Sequence, residues 1–309
     1  MILKVKKDQE GIRLDKFLVE KFPEYSRGWL QKIIQNRGVL INNKEVNPSY
    51  ILKKDDRILT KIYPPEKISL EPDFSIKFNI VYEDRDIVVI DKPAGLVIHP
   101  SNTCKAGTLV NALLGRWPDL KNVGEDKLRP GIVHRLDKGT SGLLIVAKNN
   151  QTFKYLKDQF QKRKIEKHYI ALATGQIKGE RGIIKKPIER SKKIPIKQKT
   201  TEGKNETKKS KKAETAYRVI ERFKGYTLLE AIPKTGRMHQ IRVHFVSIGH
   251  PLVGDKKYTF KRHKYPAGLT RHFLHANYLK FKLPNGKMIE LESKLPRDLD
   301  KFLDELKNN

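Results

Sequence analysis

The chain is short of several things at once, and each shortage closes off a class of function. A single cysteine, Cys104, in 309 residues rules out an internal disulfide and offers no thiolate pair for a metal, which fits a reducing compartment. Cys104 reads as a small filler of core or loop. The N-terminal MILKVKKDQEG has no apolar centre, and nowhere is there a run of about 18 apolar residues. Neither a secretory signal nor a membrane span is expected, so the chain reads as cytoplasmic. Neither GxGxxG nor GxxxxGK[ST] occurs, which leaves a dinucleotide or nucleoside-triphosphate cofactor unsupported. Carboxylates are scarce too: 35 Asp and Glu stand against 65 Lys and Arg, a net charge of +30. An excess of that size points to a polyanionic partner, nucleic acid first.

What is present suffices for a real core. A hydrophobic content of 38% over this length allows one large domain and a small one. Residues 1–62 read as the small one. RLDKFLVEKF places Leu14, Phe17, Leu18 and Phe22 at helical spacing, and SRGWLQKIIQNRG repeats the pattern with Ser26 as N-cap and Gly38 as stop. VLINNKEV reads as a hairpin turning at Asn42-Asn43, and DDRILTKIY as a further strand. Arg13, Lys16, Arg27, Lys32, Arg37 and Lys44 would form one basic face for RNA, with a merely solvated face as the competing reading. Residues 63–75, with three prolines and no periodicity, read as a linker.

The remainder, 76–309, is predicted as one mixed α and β domain. IVYEDRDIVVIDKPAG gives strand, turn, strand and loop; LVNALLG gives a helix; GIVH and LLIVAK give strands flanking a loop. TFKYLKDQFQ carries Phe153, Leu156 and Phe160 on one helical face. EKHYIALATG, AETAYRVIER and GYTLLEAI return to strand, Pro284-Asn285-Gly286 marks a turn, and a helix over 299–306 closes the chain. Between Lys185 and Lys212 stand twelve Lys or Arg against three Glu, a composition that predicts a flexible, solvated loop able to grip phosphates. His263, His272 and His275 lack a Cys or carboxylate at ligand spacing, so packing or hydrogen bonding outweighs a metal site.

One stretch carries the chemistry. HRLDKGTSG, within GIVHRLDKGTSGLLIVAK, sets Asp137 among His134, Arg135 and Lys138, neighbours that favour the ionised carboxylate. A glycoside hydrolase needs two cooperating carboxylates, and Asp137 stands alone. A lone carboxylate suffices where the leaving group holds its own negative charge, as uracil does through its two carbonyls. A surface ion pair or a turn-forming Asp is the plain alternative.

This stretch resembles the HRLD signature of the RluA family of pseudouridine synthases. Three further stretches resemble that family's motifs in the same order: IDKPAGLVIHP, then EKHYIALATG with its tyrosine, then TGRMHQIRVH. HPLVGDKKY and RHFLHANYLKF fit as well, and the first 60 or so residues resemble the S4 RNA-binding module. The Lys-rich stretch shows only loose similarity. The resemblance implies an α+β fold, a mixed and largely antiparallel sheet around a central cleft, preceded by a small S4-like module. It implies a single catalytic aspartate, Asp137, acting as a uridine's base is detached and rejoined through C5, with no cofactor and no metal. Tyr169 would stack on the flipped uracil and help remove the C5 proton. Arg242, rather than Arg237, would pair with Asp137 and keep it ionised, and Arg135 would fill the gap left in the RNA stack. An S4 module with this charge leans towards large-subunit ribosomal RNA, with transfer RNA as the alternative substrate. A non-catalytic ribosome-assembly protein and a nucleic-acid hydrolase or N-glycosylase are the competing classes. A monomer is the simplest oligomeric reading.

Overall fold

The computed structural model describes residues 1–62, 68–101, 103–191, 194, 196–203, 206–260 and 268–308. The chain divides into two compact units, Met1–Lys67 and Ile68–Asn309.

In the first unit, strand β1 (Ile2–Lys4) precedes helices α1 (Leu14–Lys21) and α2 (Arg27–Gln35), followed by strands β2 (Val39–Ile41), β3 (Lys44–Glu45) and β4 (Arg57–Thr60). The strands form an antiparallel sheet in the order β1-β4-β2-β3. Ser26 caps α2 by accepting a hydrogen bond from the Trp29 amide, which satisfies one of the orphan donors of the first turn. The residue that leaves α2 in the left-handed region is Arg37 (φ 62°), not Gly38. Gly38 is needed for closeness instead, since a Cβ there would lie 2.5 Å from Ile33 Cγ2. Asn42 and Asn43 both have positive φ (50° and 64°), the geometry a two-residue hairpin requires. Leu14, Phe17, Leu18, Leu30, Ile34 and Val39 make the core, each large side chain contributing roughly 1.5–3 kcal/mol by burial.

The second unit is built on a nine-stranded sheet. Its elements are β5 (Asn79–Glu83), β6 (Ile87–Lys92), α3 (Leu109–Arg116), β7 (Ser141–Ala147), α4 (Asn150–Gln161), β8 (Glu166–Thr174), β9 (Arg181–Ile184), a small hairpin of β10 (Ile188–Arg190) and β11 (Gln198–Thr200), β12 (Thr215–Phe223), β13 (Tyr226–Pro233), α5 (Gln240–Ser247), β14 (Leu274–Lys282), β15 (Met288–Glu292) and α6 (Arg297–Lys307). The sheet order is β5-β6-β7-β14-β8-β13-β12-β9, with β15 on β14. All its pairings are antiparallel except β7 with β14. At that parallel join Gly142 (φ 114°) is required, because a Cβ would meet the Ala276 carbonyl oxygen at 2.2 Å. Successive residues of β8 alternate between two cores. Ala171 and Ala173 meet Ile241 and Phe245 of α5, whereas Leu172 meets Leu299, Phe302 and Leu303 of α6. α3 and α4 pack with β6 and β7 in a third core.

Three expectations change. GIVH is not a strand: Gly131 turns in the left-handed region (φ 71°), and only Ile132 bridges to Val146. Residues 68–75 are tied down, since Asn111 of α3 donates to the Ser69 and Glu71 carbonyls (3.0 and 2.8 Å) and the Asp73 amide reaches the Asn111 carbonyl. Residues 63–67 of that stretch lie outside the described ones. The Lys-rich run is not structureless: β10 and β11 pair within it, and Ile188 is buried with Ala213, Val243 and Tyr258, an apolar anchor that the net charge concealed. No helix among the described residues is long and apolar enough to cross a membrane.

Candidate active site

Asp137 sits on the loop entering β7. The Thr140 amide donates to the Asp137 carbonyl at 3.0 Å, closing a tight turn, and the Gly95 amide donates to the Lys138 carbonyl at 2.7 Å. Beneath them lies Lys92, fully buried at the end of β6. Its Nζ donates to the carbonyls of Pro93 (2.8 Å), Leu96 (3.0 Å) and Lys138 (3.4 Å). Burial, followed by the charge of Arg271, pushes Lys92 down to about 7, yet three carbonyl acceptors are met together only by three protons. The KPAG and HRLDKG loops are thereby fastened to each other.

The partner of Asp137 comes from α5, which packs against β8 and β13. Arg242, in the first turn of α5, donates from Nη1 to Asp137 Oδ2 at 2.9 Å. Its other two nitrogens are held by Asp255, Nε to Oδ2 at 2.7 Å and Nη2 to Oδ1 at 2.8 Å. Asp255 also accepts the amides of Lys257 and Tyr258 (2.9 and 3.0 Å). With Nε and Nη2 fixed by Asp255, the planar fork presents Nη1 to Asp137. The helix N-cap, His239, adopts φ 57°. Its Nδ1 meets the Tyr258 hydroxyl at 2.7 Å, and its Nε2 stands 3.9 Å from Asp137 Oδ1.

Desolvation pushes the Asp137 carboxyl up, but His239, Arg242 and His272 outweigh it and hold it below the usual carboxylate range. Burial drives His239 and His272 themselves down to about 4, so at neutral pH Arg242 supplies the compensating charge. Arg242 is in turn raised by Asp255 and Asp137 against its own desolvation. A cleft of about 760 Å³ opens over the group, lined by Arg135, Asp137, His239, Lys257 and Arg271 among others. Arg135 is exposed.

Tyr169 lies on β8 opposite Ala231, packed against two cores. Burial and the charge of Asp137 raise its phenol well above the ordinary value, so it stays protonated. Arg237 does not reach Asp137; its Nε donates to the Lys212 carbonyl at 3.2 Å. His134 has a structural job, accepting the Ile145 amide on Nε2 at 2.9 Å. His272 meets the Thr140 hydroxyl and His275 the Ser141 hydroxyl, while His263 lies outside the described residues. Asp255, His239 and Lys92 were not singled out from sequence, although HPLVGDKKY contains the first of them.

In the first unit, Arg13 and Arg27 both pair with buried Asp15, at 3.0 and 2.9 Å. Arg37 pairs with Glu45 at 2.9 Å. Lys16, Lys32 and Lys44 are exposed.

Comparison with known proteins agrees with this geometry. Residues 86–247 match the profile described as RNA pseudouridylate synthase, and 12–58 match the S4 domain. The chain is 44% identical over 271 residues to an Aquifex aeolicus protein named as an RNA pseudouridine synthase, covering 87% of this chain and 83% of that one. It is 38% identical over 315 residues to the ribosomal large subunit pseudouridine synthase D of Haemophilus ducreyi, covering 98% and 93%. Among solved structures, human RNA Pseudouridylate Synthase Domain Containing 1 superposes with a TM-score of 0.57 at 27% identity, covering 79% of this chain and 98% of that one. With matched motifs, matched fold and relatives aligned over nearly its whole length, the chain belongs to the RNA pseudouridylate synthase family, as an isomerase that converts uridine in RNA to pseudouridine and carries an S4 domain.

Proposed function

We propose that the protein modifies uridines of large-subunit ribosomal RNA, with Asp137 as its one catalytic carboxylate. The observation that carries the catalytic assignment is the orientation of Arg242: Asp255 holds two of its nitrogens, so the third fixes one oxygen of Asp137. Among the described residues the other oxygen, Oδ1, accepts no hydrogen bond, and the His239 ring stands 3.9 Å from it. A carboxylate that is ionised, oriented and half free can act at C1′ while the bond from C1′ to N1 breaks. The uracil keeps the electron pair, turns, and forms the C5 to C1′ bond; the C5 proton is lost and N1 gains one. Nothing is consumed, since an N-glycosidic bond is exchanged for a C-glycosidic one. Asp255 is saturated by Arg242 and two amides, and Asp298 is held by Arg271, which leaves Asp137 alone for this work. The raised phenol of Tyr169 argues against its acting as a proton acceptor and leaves the platform role that the resemblance implies. Arg135, exposed at the rim, suits stacking in the vacated helix. Support for ribosomal RNA comes from the S4 match and from relatives bearing that substrate in their names.

The test is tritium release from 5-tritiated uridine in a large-subunit ribosomal RNA transcript, with transfer RNA in parallel. Release from the ribosomal transcript alone is expected. Release only from transfer RNA overturns the substrate, and free uracil marks a hydrolase.

A further inference from the structure

A second concavity lies beside the active site, formed by the Lys-rich segment. It encloses about 650 Å³ between the β10–β11 hairpin and the turn Gly236–Met238, and its lining includes Arg190, Lys209, Lys211 and Arg237. Among the described residues none of these four cations is paired with a carboxylate. The acid in the lining, Glu189, is engaged within the segment: its Oε2 receives the Thr207 hydroxyl (2.5 Å) and the Ser210 hydroxyl (3.0 Å), and its Oε1 is ion-paired with Lys199 Nζ at 3.0 Å. Among the described residues the lining thus carries positive charge without compensation, the usual footprint of a polyanion.

The hairpin is also docked. Ile188 is buried and exchanges both backbone hydrogen bonds with Lys211 at 2.9 Å. The Gln198 amide donates to the Tyr258 hydroxyl at 2.7 Å, the same hydroxyl that meets His239. The turn that walls the concavity runs directly into His239, so Arg237 and the residue facing Asp137 are separated by two Cα steps, about 7.6 Å at most. Arg237 lines this concavity and His239 lines the active-site cleft, so the two cavities adjoin along one turn of the chain.

We propose that this concavity binds the sugar–phosphate backbone of the RNA strand flanking the target uridine, a subsite that rests on the function proposed above. Its occupant is single-stranded RNA, recognised through phosphates by Arg190, Lys209 and Lys211.

The experiment compares the wild-type protein with the triple variant Arg190→Gln, Lys209→Gln, Lys211→Gln. Binding of poly(U) is measured across a salt series, and turnover on a transcript that the wild-type protein modifies. Loss of up to three phosphate contacts should make the plot of log affinity against log salt shallower by about 2, at ~0.7 per contact, and raise KM about tenfold. Acetylation of Lys209 and Lys211 in the unaltered protein should fall when poly(U) is added, a readout that needs no variant. An unchanged salt slope with unprotected lysines overturns the subsite; it is also the result expected if the concavity serves an acidic protein. Because poly(U) binding is scored without turnover, an incorrect choice of ribosomal RNA fails separately, as absence of product from the wild-type protein.

Discussion

Arg242 joins two aspartates that lie 118 positions apart in the chain, giving Asp137 one hydrogen bond and Asp255 two. Asp255 touches no reacting atom in this arrangement. It sets the direction of the guanidinium that sets the direction of Asp137.

Asp255→Asn should therefore slow turnover while sparing RNA affinity. The amide keeps the size but removes one of the two acceptors and the charge, so the fork loosens. A loss of about 10- to 100-fold in kcat, roughly 1.4–2.7 kcal/mol, with KM changed by less than about twofold is expected from single-turnover and steady-state rates. A loss confined to KM would place Asp255 on the RNA-binding surface instead.

Asp137→Asn should abolish pseudouridine formation and leave folding and RNA binding close to wild type. The proposed reaction uses the charge, so the cost should exceed about 1,000-fold, or ~4 kcal/mol. Residual tritium release within about tenfold of wild type would remove Asp137 from the essential role.

Acid should weaken the second unit before carboxylates titrate. Burial, then Lys167, pushes His134 down from the ordinary 6.5 to about 3, consistent with a ring nitrogen that accepts the Ile145 amide. Below pH 6.5 the unfolded chain takes up a proton that the folded chain refuses, so stability falls with falling pH down to about 3. The slope from this one residue approaches ~1.4 kcal/mol per pH unit. Trp117 fluorescence in a Trp29→Phe background reports the second unit, and His134→Gln should flatten the slope between pH 6 and 4 by about that amount. Equal slopes in both proteins would show that His134 does not set the acid limit.

Removing the S4 unit tests what it adds. A chain starting at Ile68 keeps the Ser69 and Glu71 carbonyls that Asn111 binds, whereas one starting at Asp73 would leave that buried amide unpaired. The shorter protein should fold and modify RNA at saturation, but bind more weakly and with a shallower salt plot, by ~0.7 to 0.9 per lost phosphate contact. Arg13, Arg27 and Arg37 are already paired with carboxylates, so the change should come mainly from Lys16, Lys32 and Lys44. An identical slope would make that face a solvated surface.

The local patterns were legible in the sequence: the α1 and α2 stripes, the Asn42-Asn43 hairpin, the turn at Pro284-Asn285-Gly286. Asp137 could be singled out as a candidate because its loop is a contiguous signature. Asp255 could not be weighed, since its importance comes from bonds to a residue of another element rather than from its neighbours in HPLVGDKKY. The left-handed His239 is equally silent in sequence, because a non-glycine residue is held there by tertiary hydrogen bonds. Charge misled where it diluted a weak apolar signal. Ile188 is one anchor in a run of lysines, and one anchor with a good backbone pairing suffices to dock a hairpin.

The charge of the cleft is layered. Asp137, Arg242 and Asp255 together retain one negative charge at neutral pH, while Arg135, Lys138 and Lys256 in the same cleft are exposed cations. A nucleotide brought to such a surface is sorted by its parts. Its phosphate is attracted by the outer ring and repelled by the inner carboxylates, while its uncharged base feels neither force strongly and can go deeper. On the function proposed, this layering favours entry of the base ahead of its phosphate, before any shape of the base has been read.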